Sequence, residues 1–131
     1  MSIRVKRAIE ITMLNYDCIT AASAITYERR IGFATDNMQL SPEEIDQIVR
    51  AWNGDISHLM IKHIPFIVVL HDKNGVVAVN PEGATSLVVG TGKGVWFVCV
   101  FVPMDQDKFG IMNACVQAAK NLETSVSIFD I

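Results

Sequence analysis

The stretch His71–Pro103, HDKNGVVAVNPEGATSLVVGTGKGVWFVCVFVP, decides how this chain folds. It holds three apolar runs, each preceded by a short polar break that carries glycine: Asp72-Lys73-Asn74-Gly75, Pro81-Glu82-Gly83 and Gly90-Thr91-Gly92-Lys93-Gly94. Short runs rich in β-branched residues and bounded by turn residues read as strands. Breaks of this length leave no room for a crossover helix, so neighbouring strands must pair antiparallel. Asn74-Gly75 is also the pair preferred where a hairpin turn needs positive φ.

Working outward, the strand pattern extends back to Ile56, so that residues 56–102 read as consecutive strands. Before them, Ser41-Pro42-Glu43-Glu44 is the clearest local signal in the chain. Ser41 can cap a helix, Pro42 suits its first position, and Glu44 completes a capping box. Glu43 and Glu44 also favour the positive end of the helix dipole. That helix carries Ile45, Ile48, Val49 and Trp52 and stops at Asn53-Gly54. Residues 3–16 place Val5, Ile9, Met13 and Tyr16 on one side of a first helix, and residues 18–26 and 31–35 read as two strands joined by Tyr27-Glu28-Arg29-Arg30. Pro103 ends the last strand, and Asp105 or Asp107 opens a helix that runs to Leu122. The tail Ser125–Ile131 alternates weakly and reads as a short edge strand or a loose end. The order predicts one α+β domain over residues 1–131, with a central antiparallel sheet flanked by N-terminal, middle and C-terminal helices.

Half of the 131 residues are apolar and 19% are charged, which excludes a disordered or fibrous chain. A net charge of -3 without a basic stripe argues against nucleic-acid binding. The longest apolar runs, Ile64–Leu70 and Val95–Val102, fall far short of the roughly 18 residues of a membrane span. The first residues carry Arg4, Lys6 and Arg7 but no apolar core or cleavage site, so no signal peptide is expected. Cys18, Cys99 and Cys115 are widely spaced in apolar surroundings and read as reduced, buried thiols of a cytosolic protein.

The motifs argue against catalysis. Gly90–Gly94 lacks the GxxxxGK[ST] spacing of a phosphate loop and precedes a strand rather than a helix, so it reads as a hairpin turn. His58, His63 and His71 match no zinc spacing. Ser23 and Ser86 stand in no nucleophile elbow, and Asp17, Asp36, Asp55 and Asp72 sit beside turns, where Asp is common for backbone reasons. Neither an enzyme, a metal nor a cofactor is expected.

What remains is surface. Phe66 and Val68 fall on one face of their strand and Ile67 and Val69 on the other, and Trp96 and Val98 lie opposite Phe97 and Cys99. An antiparallel sheet with one wet face should alternate. These strands are apolar on both sides, so either the three helices cover both faces or a partner covers part of one. The last helix carries two apolar stripes, Ile111, Ala114, Cys115, Ala118 and Leu122, and then Phe109, Met112, Val116 and Ala119. A sheet-packed helix needs only one stripe, so the second is expected to meet a partner.

The chain resembles the profilins, small proteins that bind actin monomers. Ile19-Thr20-Ala21-Ala22-Ser23-Ala24-Ile25-Thr26 and Ser41-Pro42-Glu43-Glu44-Ile45 match segments of plant-type profilins, and the pattern from His71 to about Phe101 lies over theirs without a gap, matching Gly75 and Gly83. The divergence is that of an Asgard archaeal-type profilin. The resemblance implies a cytoplasmic monomer that binds the barbed-end face of monomeric actin and regulates polymerisation. The implied actin-binding positions are Asp107, Lys108, Phe109, Met112, Asn113, Val116 and Gln117 on the last helix, with Phe66, Val68, His71, Lys73, Val79 and Trp96 on the strands. Phe109, Met112 and Val116 would form the apolar centre and His71, Lys73, Lys108 and Gln117 the rim. Some profilins bind phosphoinositides, and Arg4, Lys6, Arg7, Arg29 and Arg30 would supply a basic patch for anionic phospholipid. Profilins also clamp proline-rich ligands between aromatic side chains. This chain has none in residues 1–15, Gly32 near the family's strand tryptophan, and Asn121 where an aromatic or His would help, so weak or absent polyproline binding is expected. The alternatives are a roadblock- or longin-like dimeric scaffold for small GTPases, or a PAS- or GAF-type sensor with an internal cavity.

Overall fold

The structure is a computed structural model that describes residues 3–83 and 85–124; the tail Ser125–Ile131 lies outside the described residues. Its elements are α1 (Ile3–Asn15), β1 (Ala21–Thr26), β2 (Ile31–Ala34), α2 (Pro42–Asn53), β3 (His58–Ile61), β4 (Ile64–Asp72), β5 (Gly75–Val79), β6 (Ser86–Thr91), β7 (Trp96–Val102) and α3 (Lys108–Glu123). The strands form one antiparallel sheet in the order β2-β1-β7-β6-β5-β4-β3.

The local signals act as the residues suggest. Ser41 Oγ accepts the Glu44 N–H at 3.2 Å and Glu44 Oε1 accepts the Ser41 N–H at 2.8 Å, with Pro42 in the first turn and Gly54 ending α2 at φ 84°. Asp107, not Asp105, caps α3 by accepting the Gly110 N–H at 3.0 Å.

Gly75 is a different case. No positive φ occurs at Asn74 or Gly75, so that pair does not make the expected type of turn. Gly75 is needed for packing, because a Cβ there would lie 2.3 Å from the Val89 carbonyl oxygen and 3.0 Å from Met112 Sδ. Another turn carried no sequence signal. Lys62 and His63, at φ 52° and 65°, join β3 to β4 in the left-handed conformation that usually calls for glycine or asparagine. The Lys62 N–H donates to Glu44 Oε2 at 2.5 Å and its ammonium to the Gln39 carbonyl at 2.5 Å, which holds the turn against α2.

Two cores lie on the two faces of the sheet. Beneath α2, Phe66, Leu87, Val89, Phe97, Cys99 and Phe101 pack with Ile45, Ile48 and Val49. Beneath α1 and α3, Val77, Val88, Val98 and Val100 pack with Val5, Ile9, Ile111, Cys115 and Leu122. Cys99 and Cys115 are fully buried, and burial pushes the Cys115 thiol up to about 12, so neither is a thiolate near neutral pH. Cys18 is half-buried.

α3 sinks close to the sheet at Gly90, where a Cβ would lie 2.5 Å from the Val116 nitrogen. Its far end is tied down by Glu123, an acid at the end of the helix where the dipole favours a base. The carboxylate accepts backbone N–H groups from Lys93 at 2.6 Å, Val95 at 2.8 Å and Trp96 at 2.9 Å. The glycine-bearing turn between β6 and β7 is thus an anion nest filled from within the chain.

Candidate functional site

The helices do not divide the sheet evenly. α2 packs on β3, β4 and β5 from one side. On the other side, α1 packs on β1 and β2, and α3 on β6, β7 and β5, which leaves β3 and β4 without a principal helix. The side chains that point into this gap follow from the register. Val77 belongs to the α3 core, so Val79, two residues on, shares its face. Ile67 pairs with Val79 and His58 with Ile67, so those side chains and Met60 share that face as well. Ile67 is 38% exposed and Met60 51%, while Val79 is half-buried.

β4 then breaks its own alternation. Its register with β5 shifts between Val68 and Leu70. Val69 sits in the irregularity and is 59% exposed, Leu70 packs toward the α3 core, and His71 turns to the α2 side, where its Nε2 lies 2.5 Å from the Trp52 carbonyl oxygen. Beyond the gap, Phe109 in the first turn of α3 is 62% exposed. Ile67, Val69, Met60 and Phe109 are thus the large apolar side chains exposed around the open half of the sheet and the start of α3.

Several expected residues sit elsewhere. Phe66 is 1% exposed and belongs with Val68 to the core under α2, on the opposite face from Phe109. Alternation correctly separated 66 and 68 from 67 and 69, but the expectation took the wrong pair as the outer one. Met112 is 5% exposed and Ala119 fully buried, so most of the second stripe of α3 is spent on the sheet. The physical reason is the missing side chains at Gly75 and Gly90, which let the helix settle deeply enough to bury a wide arc. Met112 is therefore a core residue rather than the centre of an exposed surface. Val116 is half-buried and Asn113 exposed.

Trp96 is far from the open half. Its ring packs toward α1, and a Cβ on Gly32 would lie 2.5 Å from its Cη2, so it occupies the space a side chain at position 32 would take. Gln117 lines the cleft between α1 and α3, bonded to Asn121 Oδ1 at 3.1 Å. Asp107 caps α3, the Lys108 ammonium donates to the Met104 carbonyl, and Lys73 is exposed in the β4–β5 turn with its carbonyl accepting Trp52 Nε1–H at 3.1 Å.

The basic residues are divided. Arg29 turns to α2, donating to Asp46 Oδ1 at 2.9 Å with its guanidinium over Tyr27. Arg4 and Arg7 line a cleft with Asn121 and Thr124 beside α3, on the other side of the sheet, and Lys6 and Arg30 are exposed. The cleft between α1 and α3 is lined by Ala8, Ile11, Thr12, Asn15, Ala114, Gln117, Ala118 and Asn121, without an aromatic wall. Among the described residues, no three His, Cys, Asp or Glu side chains gather as a metal site would require. No described helix is long and apolar enough to cross a membrane.

A seven-stranded antiparallel sheet between one middle helix and a pair of terminal helices defines the profilin fold, and solved structures agree. The profilin of a LokiProfilin2/rabbit actin complex superposes with a TM-score of 0.84 at 18% identity, over 96% of this chain and 100% of that one. Acanthamoeba castellanii profilin IA superposes at 0.73 with 9% identity, over 88% and 94%. Mouse profilin IIa, in complex with a double repeat from the FH1 domain of mDia1, superposes at 0.67 with 19% identity, also over 88% and 94%. No family model matches the sequence, and no curated protein does. Profilin–actin complexes among these matches do not favour the roadblock- or longin-like alternative.

Proposed function

We propose that this chain binds monomeric actin through the open half of its sheet and the adjoining first turn of α3. The observation that carries the reading is the exposed set Ile67, Val69, Met60 and Phe109, left uncovered on a profilin fold. The profilin of the LokiProfilin2/rabbit actin complex, matched along its whole length, supports actin as the partner class. Phe109, Ile67 and Val69 form the apolar centre, Val79, Asn113 and Val116 extend it, and Lys73, Asp107 and Lys108 lie on the polar rim. The activity is binding, with no catalytic step and no cofactor, and it places the protein with the cytoplasmic cytoskeleton as a regulator of polymerisation.

The test is calorimetric titration into monomeric actin, rabbit and archaeal. The expected affinity is micromolar, about -8 kcal/mol. Phe109→Asp and Ile67→Asp should each weaken binding by about 2 kcal/mol or more, as at other interface hot spots. Both positions are solvent-facing, so the thermal melts should stay near that of the parent. Met112→Asp would not serve, because it buries a charge in the core. Unaltered binding by Phe109→Asp would move the interface elsewhere; absence of binding to both actins would remove the reading.

Weak or absent polyproline binding belongs to the same proposal. The mouse profilin IIa complex contains an FH1 repeat, but the cleft between α1 and α3 here offers Ala8, Ile11, Ala114 and Ala118 rather than aromatic rings. Tight binding of a polyproline peptide in the same calorimeter would overturn that part.

A further inference from the structure

The β3 strand is one edge of the sheet, and side chains of α2 meet part of its outer row of backbone groups. Met60 and Pro65 form a non-hydrogen-bonded pair of the ladder, so neither aims its backbone groups at the other. The Met60 N–H and carbonyl both point outward, where one side chain meets them. Gln47 Oε1 accepts the Met60 N–H at 2.7 Å, and Gln47 Nε2 donates to the Met60 carbonyl at 3.1 Å. In an antiparallel ladder, a hydrogen-bonded pair of residues exchanges this same couple of bonds. The Gln47 amide therefore occupies the position of a residue on an added strand. One turn earlier on α2, Glu44 Oε2 takes the next outward donor, the Lys62 N–H.

The opposite edge is protected differently. β2 and β3 are equally short, four residues each, but the register of β2 with β1 shifts between Ala24 and Ile25, and Gln39 reaches only the Ala34 carbonyl, at 3.3 Å. Irregular edges resist strand addition, whereas a regular one invites it. β3 is regular, and without Gln47 it would present a solvent-exposed donor and acceptor on one residue, open to another strand.

We infer that Gln47, assisted by Glu44, plugs the β3 edge and keeps two copies of this chain from pairing there. The occupant excluded is a second β3. Two such edges run antiparallel offer each other the same N–H and carbonyl, which makes a closed two-fold contact. The role is independent of actin.

The test is the mass in solution of the parent, Gln47→Ala, and Gln47→Ala combined with Met60→Pro, by sedimentation across a wide concentration range. Proline at position 60 removes only an outward N–H, so the β3–β4 ladder stays intact. The parent should remain at the single-chain mass of 14.5 kDa. Gln47→Ala should move toward twice that mass as concentration rises, and adding Met60→Pro should return it to one chain. Gln47→Leu, which keeps a good helix former at that site, replaces the alanine variant if circular dichroism shows loss of fold. A folded Gln47 variant that stays at one chain mass overturns the inference, and so does association that survives Met60→Pro. A parent that already doubles its mass overturns it as well.

Discussion

On one side of the sheet, α2 lies over Phe66, Phe97, Phe101 and Leu87 and seals them from water. On the other, α1 and α3 cover the β2-β1-β7-β6 end and leave Ile67, Val69 and Met60 exposed. Both sides carry the same kind of residue. What distinguishes a core from a candidate binding surface is which strands the helices cross, not hydrophobicity. The comparison also shows that folding does not bury every apolar side chain: half of one sheet face stays uncovered.

The largest expected effect contrasts the two sides through their phenylalanines. Phe66→Ala on the sealed side should cost about 3–5 kcal/mol of unfolding free energy. Phe109→Ala on the open side should stay within about 0.5 kcal/mol of the parent. Urea melts of both variants decide it, and equal losses would mean that the open side is not open.

Next is the depth at which α3 sits. Gly90→Ala places a methyl group against the helix backbone and should cost about 1–3 kcal/mol by overpacking. If its melt matched the parent, the close approach that buries Met112 would not be needed for stability.

The smallest effect concerns acid. Burial raises the Glu44 carboxyl, but the N–H groups of Lys62 and Ser41, the Lys62 charge and the Ser41 hydroxyl together hold it below its ordinary value of 4.5. A carboxyl lowered in the folded state contributes stability above the unfolded value, and that contribution is lost as pH falls through the lowered folded value. Glu44→Gln should therefore flatten the acid limb of a stability–pH curve below about pH 4.5, relative to the parent. An unchanged limb would detach the α2 cap from acid sensitivity.

Much of the fold was legible because its signals are local. Ser41 and Glu44 three residues apart state a cap, and Pro81-Glu82-Gly83 states a turn, before any tertiary contact exists. The site was legible only in outline. Alternation along β4 showed two apolar faces but could not say which one α2 takes, since that depends on where a helix distant in sequence lands. The irregularity at Val69 leaves no mark in a run of isoleucine and valine, yet it sends His71 to the sealed side. The Lys62-His63 turn was invisible because contacts to Glu44 and Gln39, rather than turn-forming residues, stabilise it. Met112 was read as spare because the two glycines that let α3 settle lie on other strands.

The Glu123 carboxylate in the β6–β7 turn has a practical consequence. It clamps one end of α3 while Phe109 stands near the other, 14 residues away. At 1.5 Å per residue that separation is roughly 21 Å. A fluorophore attached at Thr124 would leave from a fixed anchor, and α3 would act as a ruler: energy transfer to a labelled partner would report the distance to the docked surface rather than the wandering of a tether.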